Sequence, residues 1–370
     1  MQTLGWINTY LVLILPFAAP AFLIFLARPH ILAGATLATV PVVAVFVFMQ
    51  RQFIEGIMAG ARKSRAFQPS NKETRNRMAV AAGCSTITWR ITDHQASEEE
   101  ALRDIADVGY AGAPAGFRDG ERPEKVSELY RSFGLRPLAS YLGAMYHDPA
   151  ERAQILEQAR RHIDWSLVLG VTELFVAESC FAERFGVAGH QTANRSDQLS
   201  DAGYQYLADA LNEVGRLCRE QGMRACFHNH TGSYIETRDE FDRLLALTDP
   251  ELVFIGLDTG HLAYGGGDVP DFVATYASRI KIMHLKDVYR NVLEEARRQK
   301  WDYHTAQAHG LWAELGEGVV DFRAVFEQLG RVGYEGWAIV EIDRTTKPTP
   351  RDSIAACYAH LARLGLVSTN

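Results

Sequence analysis

From residue 79 to the C-terminus, short apolar runs alternate with longer stretches in which apolar positions recur every three or four residues. The short runs have the length and side-chain content of strands, and the longer ones the period of amphipathic helices. Strands are expected at 79–91, 110–116, 135–142, 172–178, 223–228, 253–258, 280–285 and 337–342. Helices are expected at 149–169, 201–221, 238–247, 322–332 and 351–364. Another is seeded by Ser97, which precedes Glu98, Glu99 and Glu100 as a capping residue precedes an acidic first turn. Eight strand-like runs, each followed by a helical one, predict an α/β fold of the (β/α)8 barrel type. The long stretch 288–318 is expected to cover the mouth of that barrel.

The chain before residue 79 follows another pattern. Residues 1–27 carry no charged side chain, 10–26 are apolar apart from Tyr10, and 31–49 are 19 uncharged residues. Runs of about 17–25 apolar residues have the length that spans a bilayer, so an N-terminal hydrophobic helical hairpin is expected. Arg51, Arg62, Lys63 and Arg65 follow it, which favours a cytoplasmic position for the rest. The expected organisation is a transmembrane-like segment over 1–63, a polar linker over 64–77 and a barrel over 78–370. The barrel is then tethered to the inner face of the membrane through residues 10–49. Translation from Met78 would instead leave a soluble cytoplasmic enzyme.

Chemistry gathers at four strand ends. His228 and His230 close one run, Asp258 and His261 the next, His284, Lys286 and Asp287 the third, and Glu341 and Asp343 the last. Asp258 follows His228 by 30 residues and His284 follows Asp258 by 26, one βα unit each, whereas Glu341 follows His284 by 57, about two. In a (β/α)8 barrel the C-terminal strand ends open onto one shared mouth, so residues distant in sequence converge there. Side chains alternate across a strand. Hence His228, Asp258, His284 and Glu341 share the inner face, while Ile255, Leu257, Met283, Leu285, Val340 and Ile342 suit packing against outer helices. Two imidazoles and two carboxylates suit one divalent ion, with Mn or Co expected and Zn or Fe as alternatives.

With these residues in place, the chain from residue 79 onward resembles the xylose isomerase-like barrels of sugar isomerases, epimerases and dehydratases, and within them the inosose dehydratases. The segments that carry the likeness are FHNHTG at 227–232, LDTGH at 257–261, RIKIMHLKDV at 279–288, LGEGVVDF at 315–322 and GYEGWAIVE at 333–341. Many isomerases of this group place a Glu where His228 stands, and related dehydratases often carry an acid where this chain has Gly112, Ala113, Pro114 and Ala115. The N-terminal pieces NTY at 8–10, LILPF at 13–17 and FIEGIMAGAR at 53–62 resemble parts of a sugar ABC-transporter permease. They imply a fusion remnant without transport.

The resemblance implies a metal-dependent lyase, an inosose dehydratase that removes a proton beside a ketone and expels a hydroxyl. A sugar ketose isomerase or epimerase with the same metal is the alternative, and an inactive membrane-tethered fusion product a second. Glu341 is the expected base, with Lys286 or His230 supplying the proton to the leaving hydroxyl. Burial near a metal is expected to lower the Lys286 pKa. Trp89, Glu178, His261 and Glu317 are the candidate substrate contacts, and Glu178 is also a candidate fifth ligand. Asp287 and Asp343 are candidate acceptors for the ligating imidazoles. The partner is a small sugar or cyclitol; a homo-oligomer stays open. A net charge of −7 argues against a nucleic-acid surface. A DNA-repair endonuclease would need further histidines at 110–116 and 135–142, which hold none. Cys84, Cys180, Cys218, Cys226 and Cys357 show no paired spacing and read as reduced thiols.

Overall fold

The computed structural model describes residues 80–91, 96–190 and 198–367. The expected hairpin over 1–63, the linker over 64–77 and Met78 lie outside the described residues. Among the described residues no helix is long and apolar enough to cross a membrane. Arg77–Asn370 forms one compact unit.

Nine strands make one parallel sheet: β1 (Ala81–Cys84), β2 (Gly112–Pro114), β3 (Arg136–Leu138), β4 (Tyr141–Ala144), β5 (Glu173–Glu178), β6 (Arg224–Phe227), β7 (Val253–Asp258), β8 (Ile280–Leu285) and a last strand at Trp337–Val340. In space they run β3-β2-β1, the last strand, then β8-β7-β6-β5-β4. β3 and β4 are two halves of one stave. Ala139 and Ser140 interrupt it, so the first half pairs with β2 and the second with β5. Across the break, the Ala115 N–H donates to Leu138 O at 3.2 Å and the Phe175 N–H to Ser140 O at 3.0 Å. Counted this way the ring holds eight parallel strands, a closed TIM barrel. All six outer positions named from parity, Ile255 to Ile342, are at most 1% exposed.

The short antiparallel hairpin of β9 (Asp287–Val288) and β10 (Trp312–Ala313) was not legible in the sequence. It closes the base of the long insertion, which carries helices Arg290–Gln299 and Tyr303–Ala308. The last strand is therefore β11 (Trp337–Val340). A second difference concerns the run 79–91. The strand ends at Cys84, and Ile87–Ile91 is a helix. Ser85 Oγ accepts the Ile87 N–H at 3.3 Å, and Thr88 Oγ1 donates to Ile342 O at 2.6 Å. These polar ties turn the chain where the apolar pattern alone suggested continuation.

Helix starts follow the capping chemistry. Ser97 and Glu100 form a capping box before Glu98–Val108, and Thr237 and Glu240 form another before Arg238–Leu247. Each such cap is worth about 1 kcal/mol. The loop between β6 and Arg238–Leu247 is fixed from below by a buried ion pair. Arg184 Nη2 meets both Glu240 oxygens at 2.9 and 3.1 Å, and its Nε–H donates to Ser233 O at 2.9 Å.

Candidate metal centre

The ends of β6, β7 and β8 are stitched together by side chains that copy backbone pairing. Asn229 accepts the Asp258 N–H at 2.9 Å and donates to Asp258 O at 3.1 Å. Thr259 does the same one seam further on, donating to Lys286 O at 2.7 Å and accepting the Lys286 N–H at 2.9 Å. These clamps bring His228, Asp258 and His284 together, with one ligand-type atom from each lying within 4.8 Å of the others. Gly256 makes room beside them, since a Cβ there would stand 2.6 Å from the Phe175 ring.

The donor set fits a divalent cation. His228 Nδ1–H donates to Gly256 O at 3.0 Å, which leaves Nε2 as a lone-pair donor in the manner of ligating histidines. Asp258 Oδ1 accepts the His261 N–H at 2.8 Å, while its Oδ2 is buried without a hydrogen bond. His284 Nε2 is likewise buried and unpartnered. Orphaned buried polar atoms are uncommon in native proteins; others lie elsewhere among the described residues, at Ser127, Arg152, Ser166, Glu178, Tyr264 and Trp312, but only here do two residues of metal-ligand chemistry turn such atoms toward one another. Burial holds the His228 imidazole well below its usual pKa, so it is neutral as a ligand requires. Burial raises the Asp258 carboxyl to about 6, against the pull of Lys286 and His284.

Glu341, the fourth expected ligand, stands beside this group. Its Oε1 lies 3.3 Å from His284 Nδ1 and 3.0 Å from Lys286 Nζ. Burial pushes its carboxyl up, but His284 and Lys286 outweigh this and hold it well below the usual range. Lys286 departs from expectation. It is fully buried, bonded to Asp343 Oδ1 at 2.9 Å, and 3.6 Å from Asp258 Oδ2. Its Nζ lies 4.8 Å above the Trp312 ring. Burial alone would lower its pKa; Asp343, Asp258 and Glu341 overturn that and raise it well above the ordinary lysine value.

A cavity of about 450 Å³ opens over this group. His228, His230, His284, Glu341 and Asp343 line it. His261 lies one layer beneath, its ring tilted 39° against that of His230 with centroids 3.8 Å apart, and its Nε2 accepts from Lys286 Nζ at 3.2 Å. The other expected contacts are not on the cavity wall. Trp89 is a buried helix residue whose indole N–H donates to Asp104 at 3.3 Å. Glu178 is buried and pairs with His147 Nδ1 at 2.7 Å. Glu317 sits in a loop with Lys347 at 2.8 Å and Tyr289 at 3.0 Å. Asp287 serves no imidazole: its two oxygens collect the N–H groups of Val288, Gly316, Gly318 and Val320. Sequence reasoning missed Tyr141, Phe175, Tyr303 and Gln307 on the wall. Strand parity with the interior would have found Phe175; no motif marks the other three.

A closed parallel barrel with histidine and carboxylate donors at the C-terminal mouth defines a class of barrel enzymes with a divalent-metal type of centre. Residues 102–362 match the family described as xylose isomerase-like TIM barrel, and the chain belongs to that family. It is 30% identical over 268 residues to an inosose dehydratase of Geobacillus kaustophilus strain HTA426, covering 71% of this chain and 87% of that protein. An inosose dehydratase of Clostridium beijerinckii is 29% identical over 289 residues, covering 73% and 91%. A solved zinc-bound structure of the IolI protein shares the fold at a TM-score of 0.59 and 14% identity, over 78% of this chain and all of the other. The chain is an enzyme of the hydro-lyase or isomerase kind.

Proposed function

We propose that this enzyme dehydrates an inosose, a cyclic polyol ketone, with the help of one divalent metal ion. The observation that carries the reading is the pair of orphaned donor atoms on Asp258 and His284, with His284 and Glu341 themselves on the wall of a cavity of about 450 Å³. The identity to two inosose dehydratases over most of their length supports the substrate class. His228, Asp258, His284 and Glu341 would hold the ion. When bound, such an ion supplies Lewis-acid polarisation of a ketone oxygen. Mn or Co suits the donor set, with Zn or Fe as alternatives.

The proton work falls to residues on the cavity wall. Glu341 takes the proton from the carbon beside the ketone. His230 keeps its Nδ1–H on Thr231 O at 2.8 Å and burial favours the neutral ring, so Nε2 has no proton of its own and relays to the departing β-hydroxyl the proton that Glu341 removed. One water is lost and the enol of a dione remains. Lys286 is walled off beneath Glu341 and Asp343; it holds Glu341 in place rather than meeting substrate. The isomerase or epimerase alternative needs a base for each face or carbon, and the second position offers His228 where a Glu would serve.

The test is full-length protein loaded with Mn²⁺ and given an inosose, with the absorbing dione or enol followed optically. Glu341→Gln is expected to lose at least about 100-fold in kcat when compared at equal metal content. Full activity in that variant, with metal retained, would remove Glu341 as the base. Recovery of a rearranged ketose with no water lost would favour the isomerase.

A further inference from the structure

The helix Tyr303–Ala308 takes no part in the chemistry above, yet it puts two polar side chains on the cavity wall. Tyr303 and Gln307 are one turn apart, the spacing that places both on one helix face. Both line the cavity that holds His228, His230 and Glu341. Tyr303 is 4% exposed. Its ring is fixed by a parallel stack on Phe185, 5.4 Å away at 8°, and by Trp312 at 6.2 Å and 71°. Gln307 Nε2–H donates to the phenol oxygen at 2.9 Å. That bond occupies the oxygen as acceptor and leaves the phenolic proton to be given elsewhere. Among the described residues no protein group accepts it, and the side that remains open is the cavity. A buried donor left without an acceptor is costly, so an oxygen atom is expected there when the site is filled.

We propose that Tyr303 is a specificity-determining donor for a hydroxyl oxygen on the ring of a polyhydroxylated ketone, with Gln307 as the residue that aligns it. The proposal rests on the reading of the substrate as a polyol ketone, and it adds which part of the enzyme reads the hydroxyl pattern. Tyr303 makes no ion contact and moves no proton. Its effect is expected in selection among substrates.

The experiment compares full-length wild type, Tyr303→Phe and Gln307→Leu, each loaded with Mn²⁺. Each is assayed on an inosose and its monodeoxy analogues, and each is titrated calorimetrically with inositol as a non-reacting polyol. Tyr303→Phe is expected to lower kcat/KM and inositol affinity about 10-fold, the worth of one good hydrogen bond. One deoxy analogue should show no loss, because it lacks the hydroxyl that Tyr303 holds. Gln307→Leu should show a smaller loss with the same exception, and Mn²⁺ affinity should stay unchanged in both. Equal losses on every analogue, or none, overturn the proposal. A wild type that binds inositol but dehydrates no inosose sinks the dehydratase reading alone, and the binding comparison then decides the role of Tyr303. A wild type that neither binds nor reacts overturns both.

Discussion

At the scale of the residue, the centre depends on side chains that bind no ion. Asn229 pairs with both backbone groups of Asp258 and so sets the distance between two candidate ligands. Asn229→Ala is expected to weaken Mn²⁺ binding by about 10- to 100-fold, as loss of groups that orient ligands commonly does, while the barrel stays folded. Metal titration of the purified variant measures this; unchanged affinity would mean that the strands hold the ligands without the amide. The histidines and carboxylates were legible because strand parity and spacing place them together without knowledge of distances. Lys286 was legible as an inward residue, but its charge state was not. Its partner Asp343 comes from a strand end 57 residues away, and only the folded chain shows three carboxylates around one amine.

At the scale of the element, the regular units were read closely. β7, β8 and the helix Arg238–Leu247 fall where the pattern put them. The misreadings lie where polar side chains redirect the backbone: at Ser85 and Thr88, and at Asp287. Four N–H groups converge on Asp287 and shape the loop 314–320. Asp287→Ala is expected to cost roughly 2–4 kcal/mol, because buried donors are left unmet. Urea unfolding measures this, and a cost under about 0.5 kcal/mol, typical of a surface change, would refute it. Helix Arg152–Leu169 carries a pH-sensitive element. His162 is buried against Phe117, with Ser140 Oγ 3.2 Å from Nδ1. Burial, with a smaller push from Arg161, lowers its pKa from 6.5 to about 4. Between those values the unfolded chain binds a proton that the folded chain refuses, so stability falls as pH drops from 6.5 toward 4. The loss attributable to His162 is roughly 3 kcal/mol by pH 4. His162→Gln should flatten the curve of unfolding free energy over that window; a variant as pH-sensitive as wild type would refute the assignment.

At the scale of the whole molecule, eight staves and one insertion build a closed barrel whose chemistry faces a single mouth. Binding that favours the folded state raises its stability by mass action, about 2.7 kcal/mol at a ligand concentration 100 times Kd. Chelator treatment is therefore expected to lower the Tm of the full chain, and added Mn²⁺ to restore it. No shift with any divalent ion would count against the centre. The closure itself was legible only in outline, because the stave broken at Ala139 and Ser140 reads in sequence as one continuous run.

The amine buried among Asp258, Glu341 and Asp343 also bears on what the enzyme admits. Three carboxylates and one ammonium leave two negative charges uncancelled, and the imidazoles of His228, His230 and His261, held below their usual pKa by burial, add nothing. One doubly charged cation brings that tally to zero. Were the ion held as proposed, it would meet a ketone oxygen while offsetting the carboxylates around it, and the choice among uncharged guests would pass to shape and hydroxyl geometry.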